Sequence, residues 1–152
     1  MSLRIIVSFS SFRYVFCASI PSNSMRFGKP PQTMYHEDVS FNSIIALNGR
    51  FDLTHNFENI VYNELIYMGY SIYVYNDGKH EIDFIAEKGN KKFYIQAAYS
   101  VAEEKAYERE FGAFAKLDNS IQKVVISNDE VDFSTSTVRH IQFKHFLTMP
   151  EL

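Results

Sequence analysis

The stretch EIDFIAEKGNKKFYIQAAYS, residues 81–100, leaves the backbone few choices. Two alternating runs flank Gly89-Asn90, the kind of pair that a two-residue hairpin turn demands. A turn there sets Lys88 against Lys91. Phe84 then opposes Ile95, Ala86 opposes Phe93 and Ile82 opposes Ala97, all on one core face. The reverse face sets Asp83 opposite Gln96, Glu81 opposite Ala98 and Ile85 opposite Tyr94. A four-residue loop from Lys88 to Lys91 gives the same pairs. A slip of one residue would turn Phe84, Phe93 and Ile95 off the core, so the pattern fixes the register.

Elements on either side follow from periodicity. NFENIVYNELIYMG, 56–69, predicts a helix with Phe57, Ile60, Val61, Leu65 and Met68 as its stripe, Thr54 as a possible cap and Gly69 as its end. Glu64 points into that stripe and Glu58 sits at its margin. YSIYVYN, 70–76, predicts a strand and DGKH a turn. VAEEKAYEREFGAFAKL, 101–117, predicts a second helix with Val101, Ala102, Tyr107, Phe111 and Phe114 inward. IQKVVIS, 121–127, predicts a strand, DEVDFSTSTV a loop, RHIQF a last short strand and KHFLTM a helical turn. Helix, three meandering strands, helix and strand imply an α/β layer built on a mixed sheet.

The chain falls into an N-terminal segment, 1–32, and an α/β domain, 33–152. Residues 3–20 read as a strand or hairpin, and PSNSMRFGKPPQ, 21–32, as a loop. TMYHEDVSFNSIIAL, 33–47, predicts a short strand ending near His36 and a short helix from Asp38. NGRFDLTH, 48–55, reads as a linker. Arg13 interrupts the apolar run near the start, and no run approaches the ~18 apolar residues a membrane span needs. The single Cys17 excludes an intramolecular disulfide and suits the cytoplasm. A net charge of −3 argues against strong non-specific nucleic-acid binding by the chain as a whole.

An acid opposite an amide on a covered sheet face is expensive unless both are satisfied. Asp83 and Gln96 therefore form either a hydrogen-bonded pair or a site. As a site, Asp83 would hold a divalent cation, Gln96 would offer its carbonyl oxygen and Glu58 would approach from the helix. Oxygen donors of this kind suit Mg²⁺ or Mn²⁺.

ENIVYNELIYMGYSIYVY, EIDFIAEKGNKKFYIQAAYS and EREF together resemble the C-terminal domain, of unknown function, of prokaryotic AAA-type ATPases. MYHEDVSFNSIIALNGRF resembles the segment that precedes it. The resemblance covers residues 33–147, and residues 1–30 match poorly. That domain is similar in turn to the PD-(D/E)XK nuclease superfamily, with its restriction-endonuclease-like core of helix, three-stranded meander, helix and strand. The resemblance places Glu58 at the helix acid, Asp83 at the strand acid and Gln96 at the Glu/Gln position, and so implies Mg²⁺ held by these residues. It places Ala98 where the pattern needs lysine. A nuclease uses that lysine to orient the attacking water and offset charge on phosphorus. Ala98 does neither. Lys92, four residues and roughly 13 Å along the strand from Gln96, is too far for direct replacement; it and Lys105, on the second helix, are the conceivable sources of a relocated lysine.

Three functional expectations follow. The first is a vestigial, non-catalytic module that serves as an interaction or DNA-binding domain of an AAA-type ATPase family protein. The second is a Mg²⁺-dependent nuclease with a relocated lysine, and the third a structural or oligomerisation domain. The chain has no GxxxxGK[ST] and so carries no ATPase motif of its own. Glu64 reads as a buried structural acid. His36, His55, His80, His140 and His145 show no zinc spacing and read as surface or loop residues. Cys17 reads as inert. EEKAYEREF reads as a solvated helix face, on which Arg109 could touch a phosphate if the resemblance holds.

Overall fold

The computed structural model describes residues 6–9, 12–16, 34–35, 53–76 and 81–152. Near the N-terminus, β1 (Ile6–Phe9) and β2 (Phe12–Phe16) form an antiparallel hairpin in which Phe9 pairs with Phe12. β3 (Met34–Tyr35) pairs antiparallel with β2, giving a three-stranded sheet. The hairpin expected within 3–20 and the short strand before His36 are both present. The loop at 21–32, the helix from Asp38, the turn at 77–80, Cys17, His36 and His80 lie outside the described residues.

Helix α1 runs Leu53–Tyr67, so Thr54 stands inside its first turn and is not its cap. Phe57, Val61, Leu65 and Met68 are buried as the stripe requires, joined by Tyr62, while Ile60 is only half-buried. The helix stops at Gly69, whose φ of +88° lies in the left-handed region that glycine enters freely. Tyr70 N–H bonds Leu65 O at 3.0 Å and Gly69 N–H bonds Ile66 O at 2.9 Å, the paired arrangement of a Schellman terminus. The Lys88 ammonium donates to a further carbonyl of this terminus, Met68 O, at 2.9 Å.

A five-stranded mixed sheet follows, in the order β4-β5-β6-β7-β8. β4 (Ser71–Asn76), β5 (Glu81–Lys88) and β6 (Lys91–Ala98) are an antiparallel meander. Helix α2 (Glu104–Gly112) then crosses to β7 (Gln122–Ser127), which runs parallel to β6. A loop over 128–137 leads to β8 (Val138–Gln142), parallel to β7, and α3 (Phe143–Phe146) follows. α2 is shorter than the 101–117 expected from sequence. Val101 and Phe114 are buried but lie just outside it.

Both sheet faces are covered. α1 packs with Phe84, Phe93, Ile95, Val124 and Ile126 in one cluster. Val101 and Phe114 pack with Ala98, Val125 and Val138 in the other. The ladder between β5 and β6 has the expected register, from Phe84↔Ile95 to Lys88↔Lys91.

Ile82 departs from expectation. It joins the second cluster, not the first with Phe84. The cause is in β4: Tyr73 pairs with Ile85 but Tyr75 pairs with Ile82, so Asp83 and Phe84 together face the single Val74. That extra residue is a β-bulge, and it reverses the alternation of β5. His140 also departs from expectation. It is buried on β8, because positions 138 and 140 of that strand face the second core. His145 is exposed, as expected.

Candidate functional site

The bulge sets the site. Beyond Phe84↔Ile95 the regular β5–β6 ladder ends, and side chains take over the backbone's hydrogen bonding. Asp83 N–H donates to Gln96 Oε1 at 2.8 Å. In return Ala97 N–H donates to Asp83 Oδ2 at 2.8 Å. The sequence places Asp83 beside Gln96, and the structure ties the two strands together through them.

The network extends into α2. Gln96 Nε2 donates to Glu110 Oε2 at 2.9 Å. Glu110 Oε1 accepts from Arg109 Nε at 2.7 Å, and a second guanidinium nitrogen stands at 2.7 Å from the same oxygen. Gln96 and Glu110 are both buried, whereas the Arg109 side chain is 70% exposed. Both functional atoms of Gln96 and both oxygens of Glu110 are therefore engaged.

A cleft of about 510 Å³ opens beside this network. Glu58 reaches it from α1, Glu81 and Asp83 from β5, Gln96 from β6, and Arg109 and Glu110 from α2. The three residues singled out by sequence, Glu58, Asp83 and Gln96, thus line one space. Burial pushes the Asp83 carboxyl well above the usual aspartate range. The Ala97 N–H pulls it down, and the charges of Glu58, Glu110 and Glu81 push it up again. The result is an acidic cleft whose central carboxyl holds its proton more tightly than a free aspartate does. Among the described residues, no three His, Cys, Asp or Glu side chains are grouped as ligands for one metal ion.

Ala98 is buried in the second core cluster. Lys92 pairs with Glu87 at 2.8 Å, and neither it nor Lys105 lines the cleft. The only cation on the cleft's lining, among the described residues, is Arg109. Glu64 is half-buried on α1 and does not line the cleft.

Glu110 is the participant that sequence reasoning missed. It lies three residues after Tyr107 and four before Phe114, on the stripe expected to face inward. An acid on that stripe marks a satisfied buried group, but EREF reads as a solvated face when its charges are counted together.

An uncharacterized protein of Haemophilus influenzae is 46% identical over 46 residues, a stretch that is 30% of this chain and 12% of that relative. Among the described residues, no helix is long and apolar enough to cross a membrane. Residues 53–148 match the family described as Domain of unknown function (DUF4143), which spans α1, the five-stranded sheet and α3, and the chain belongs to that family.

Proposed function

We propose that this chain is a degenerate PD-(D/E)XK-like module without nuclease activity, working as an interaction domain of an AAA-type ATPase family protein. The element order α1-β4-β5-β6-α2-β7 supports the nuclease-like ancestry, as does the meeting of Glu58, Asp83 and Gln96 at one cleft. The observation that carries the loss of catalysis is the engagement of Gln96. Its carbonyl oxygen accepts the Asp83 N–H and its amide donates to Glu110, so it is a structural tie and not an open metal ligand. Burial of Ala98 at the lysine position points the same way. The cleft's carboxylates repel a phosphodiester backbone, which favours a protein partner there.

The test is cleavage of supercoiled plasmid and of oligonucleotides with Mg²⁺ or Mn²⁺, comparing the wild type with Asp83→Ala. The expected result is no difference between them. A metal-dependent loss of substrate that disappears in Asp83→Ala would overturn the proposal.

One observation favours a second reading, a metal-dependent nuclease with its cation relocated. Arg109 lines the same cleft as Glu58 and Asp83. A guanidinium can offset charge on phosphorus but cannot deprotonate a water, because it stays protonated. That reading requires cleavage abolished by Arg109→Ala as well as by Asp83→Ala.

A further inference from the structure

At the opposite end of β6 from Gln96 and Ala97, two clefts of about 390 and 540 Å³ adjoin. They open where the parallel strands β6, β7 and β8 begin, and they share Gln122 and Arg139. The charged side chains on their lining are Lys91, Lys92, Lys123 and Arg139, with no Asp or Glu. This is the reverse of the acidic cleft, in a chain whose net charge is −3.

The four cations are not equally committed. Lys91 pairs with Glu151 at 2.7 Å and Lys92 with Glu87 at 2.8 Å, both at the surface. Exposed pairs of this kind hold weakly and exchange readily for another anion. Buried Lys123 donates to Leu117 O and Asn119 Oδ1. Arg139 is exposed, stands where the two clefts join, and has no ion-pair partner among the described residues. Beside it, the side chains of Gln122, Ser136 and Thr137 make no hydrogen bond among the described residues and supply neutral donors.

We propose that this groove binds phosphate groups, with Arg139 as the anchoring cation and the phosphodiester backbone of a nucleic acid or a small polyphosphate as their source. A guanidinium flanked by hydroxyl and amide donors matches the several acceptor oxygens of a phosphate. An acidic peptide fits less well, because peptide grooves rely on exposed apolar or aromatic anchors. Here Phe93, Val124 and Val138 are buried in the core. Among the described residues the two clefts present no exposed aromatic ring to stack a base, so recognition is of backbone and not of sequence. The inference is independent of whether the acidic cleft cuts nucleic acid.

The experiment is fluorescence anisotropy of a short labelled oligodeoxynucleotide with the whole chain, from low to high salt. Wild-type binding at low salt that weakens as salt rises is expected. Arg139→Glu should weaken it about tenfold or more and make the slope of log K against log salt shallower by at least about one. Lys144→Glu, the same charge change on α3 outside both clefts, should have an effect of less than about threefold. Arg139 is exposed, and matching thermal melts would show that its variant is folded. Competition with inorganic tripolyphosphate separates the sources: displacement at matched phosphate concentration assigns a small polyphosphate, and its failure assigns a polymer backbone. Absence of binding at low salt would overturn the proposal. So would equal losses in the two variants, or displacement by polyglutamate as effective as by tripolyphosphate.

Discussion

Asp83 and His140 are titratable side chains that burial holds away from solution behaviour, and they respond to pH in opposite directions. Asp83 is raised by burial, so the folded chain binds its proton more tightly than the unfolded chain. The associated stability is fully present below the ordinary value of 3.8 and is lost as pH rises through the folded value. Asp83→Asn removes that loss and keeps an oxygen for the Ala97 N–H. Melting should show the variant ahead of the wild type by roughly 1 kcal/mol at pH 8, about 2–4 °C, with the gap closing as pH falls. A gap that does not change with pH would contradict the raised carboxyl. His140 is lowered, first by burial, with Asp132 and Asp129 pulling it back up. The Ser127 hydroxyl gives its proton to Asp129 Oδ2 at 2.7 Å, so His140 Nε2, 2.8 Å away, must donate to it. Nδ1 then accepts from Phe133 N–H at 3.3 Å. Ser, His and Asp stand together here without forming a nucleophile, because Ser127 is fully buried and its proton points away from the imidazole. Protonating Nδ1 breaks the Phe133 bond. Stability from neutral His140 is therefore present above about pH 6.5 and is lost as pH falls through the depressed folded value. The wild-type melting temperature should drop more steeply than that of His140→Gln between pH 7.5 and 5.5. Parallel curves would remove His140 as the cause.

Among the elements, the hairpin was the most legible because one face is fully apolar and a register slip would expose Phe84, Phe93 and Ile95 together. Its Gly89 adopts a φ of +59°, as the turn pair implies. What β5 and β6 could not reveal was the bulge, because it is imposed by pairing with β4. A residue count made within two strands contains no information about a third. The bulge moves Ile82 to the other core, yet Asp83 and Gln96 stay adjacent because their side chains bridge the gap that the ladder leaves. The same locality explains α2. Val101 and Phe114 carry helical spacing but are buried from the turns that flank the helix, and Glu110 hides among charges that the sequence shows as a block. Gln96 is the joint between these elements. Gln96→Ala leaves the Asp83 N–H and a Glu110 oxygen without their partner, at a cost of about 1–3 kcal/mol in denaturant unfolding. It should also accelerate hydrogen exchange at the Asp83 amide, while exchange in the regular ladder at Ala86 keeps its wild-type protection. Equal acceleration at both amides would mean that Gln96 supports the whole sheet and not its open end alone.

At the scale of the whole molecule, the five-stranded sheet has two chemically opposed ends. The end carrying Asp83, Gln96 and Glu110 gathers carboxylates, and the end carrying Lys91, Gln122 and Arg139 gathers cations. The acidic end decides between the two readings of function, because its side chains can either hold a cation or stay committed to the Asp83–Gln96–Glu110 network. A metal that binds only the folded chain raises its stability in proportion to the logarithm of metal concentration over Kd. If Glu58, Asp83 and Gln96 hold Mg²⁺ or Mn²⁺, millimolar metal should raise Tm, and Asp83→Ala should abolish the rise. If Gln96 is a structural tie, metal must first break its bond with the Asp83 N–H and bind a carboxyl whose charged form burial disfavours, both of which oppose binding. The expected outcome near pH 7 is therefore no change in Tm with either metal beyond that seen with an equal ionic strength of NaCl. A metal-specific rise that grows from pH 6 to pH 8 and is missing in Asp83→Ala would instead mean that the network opens to admit a cation.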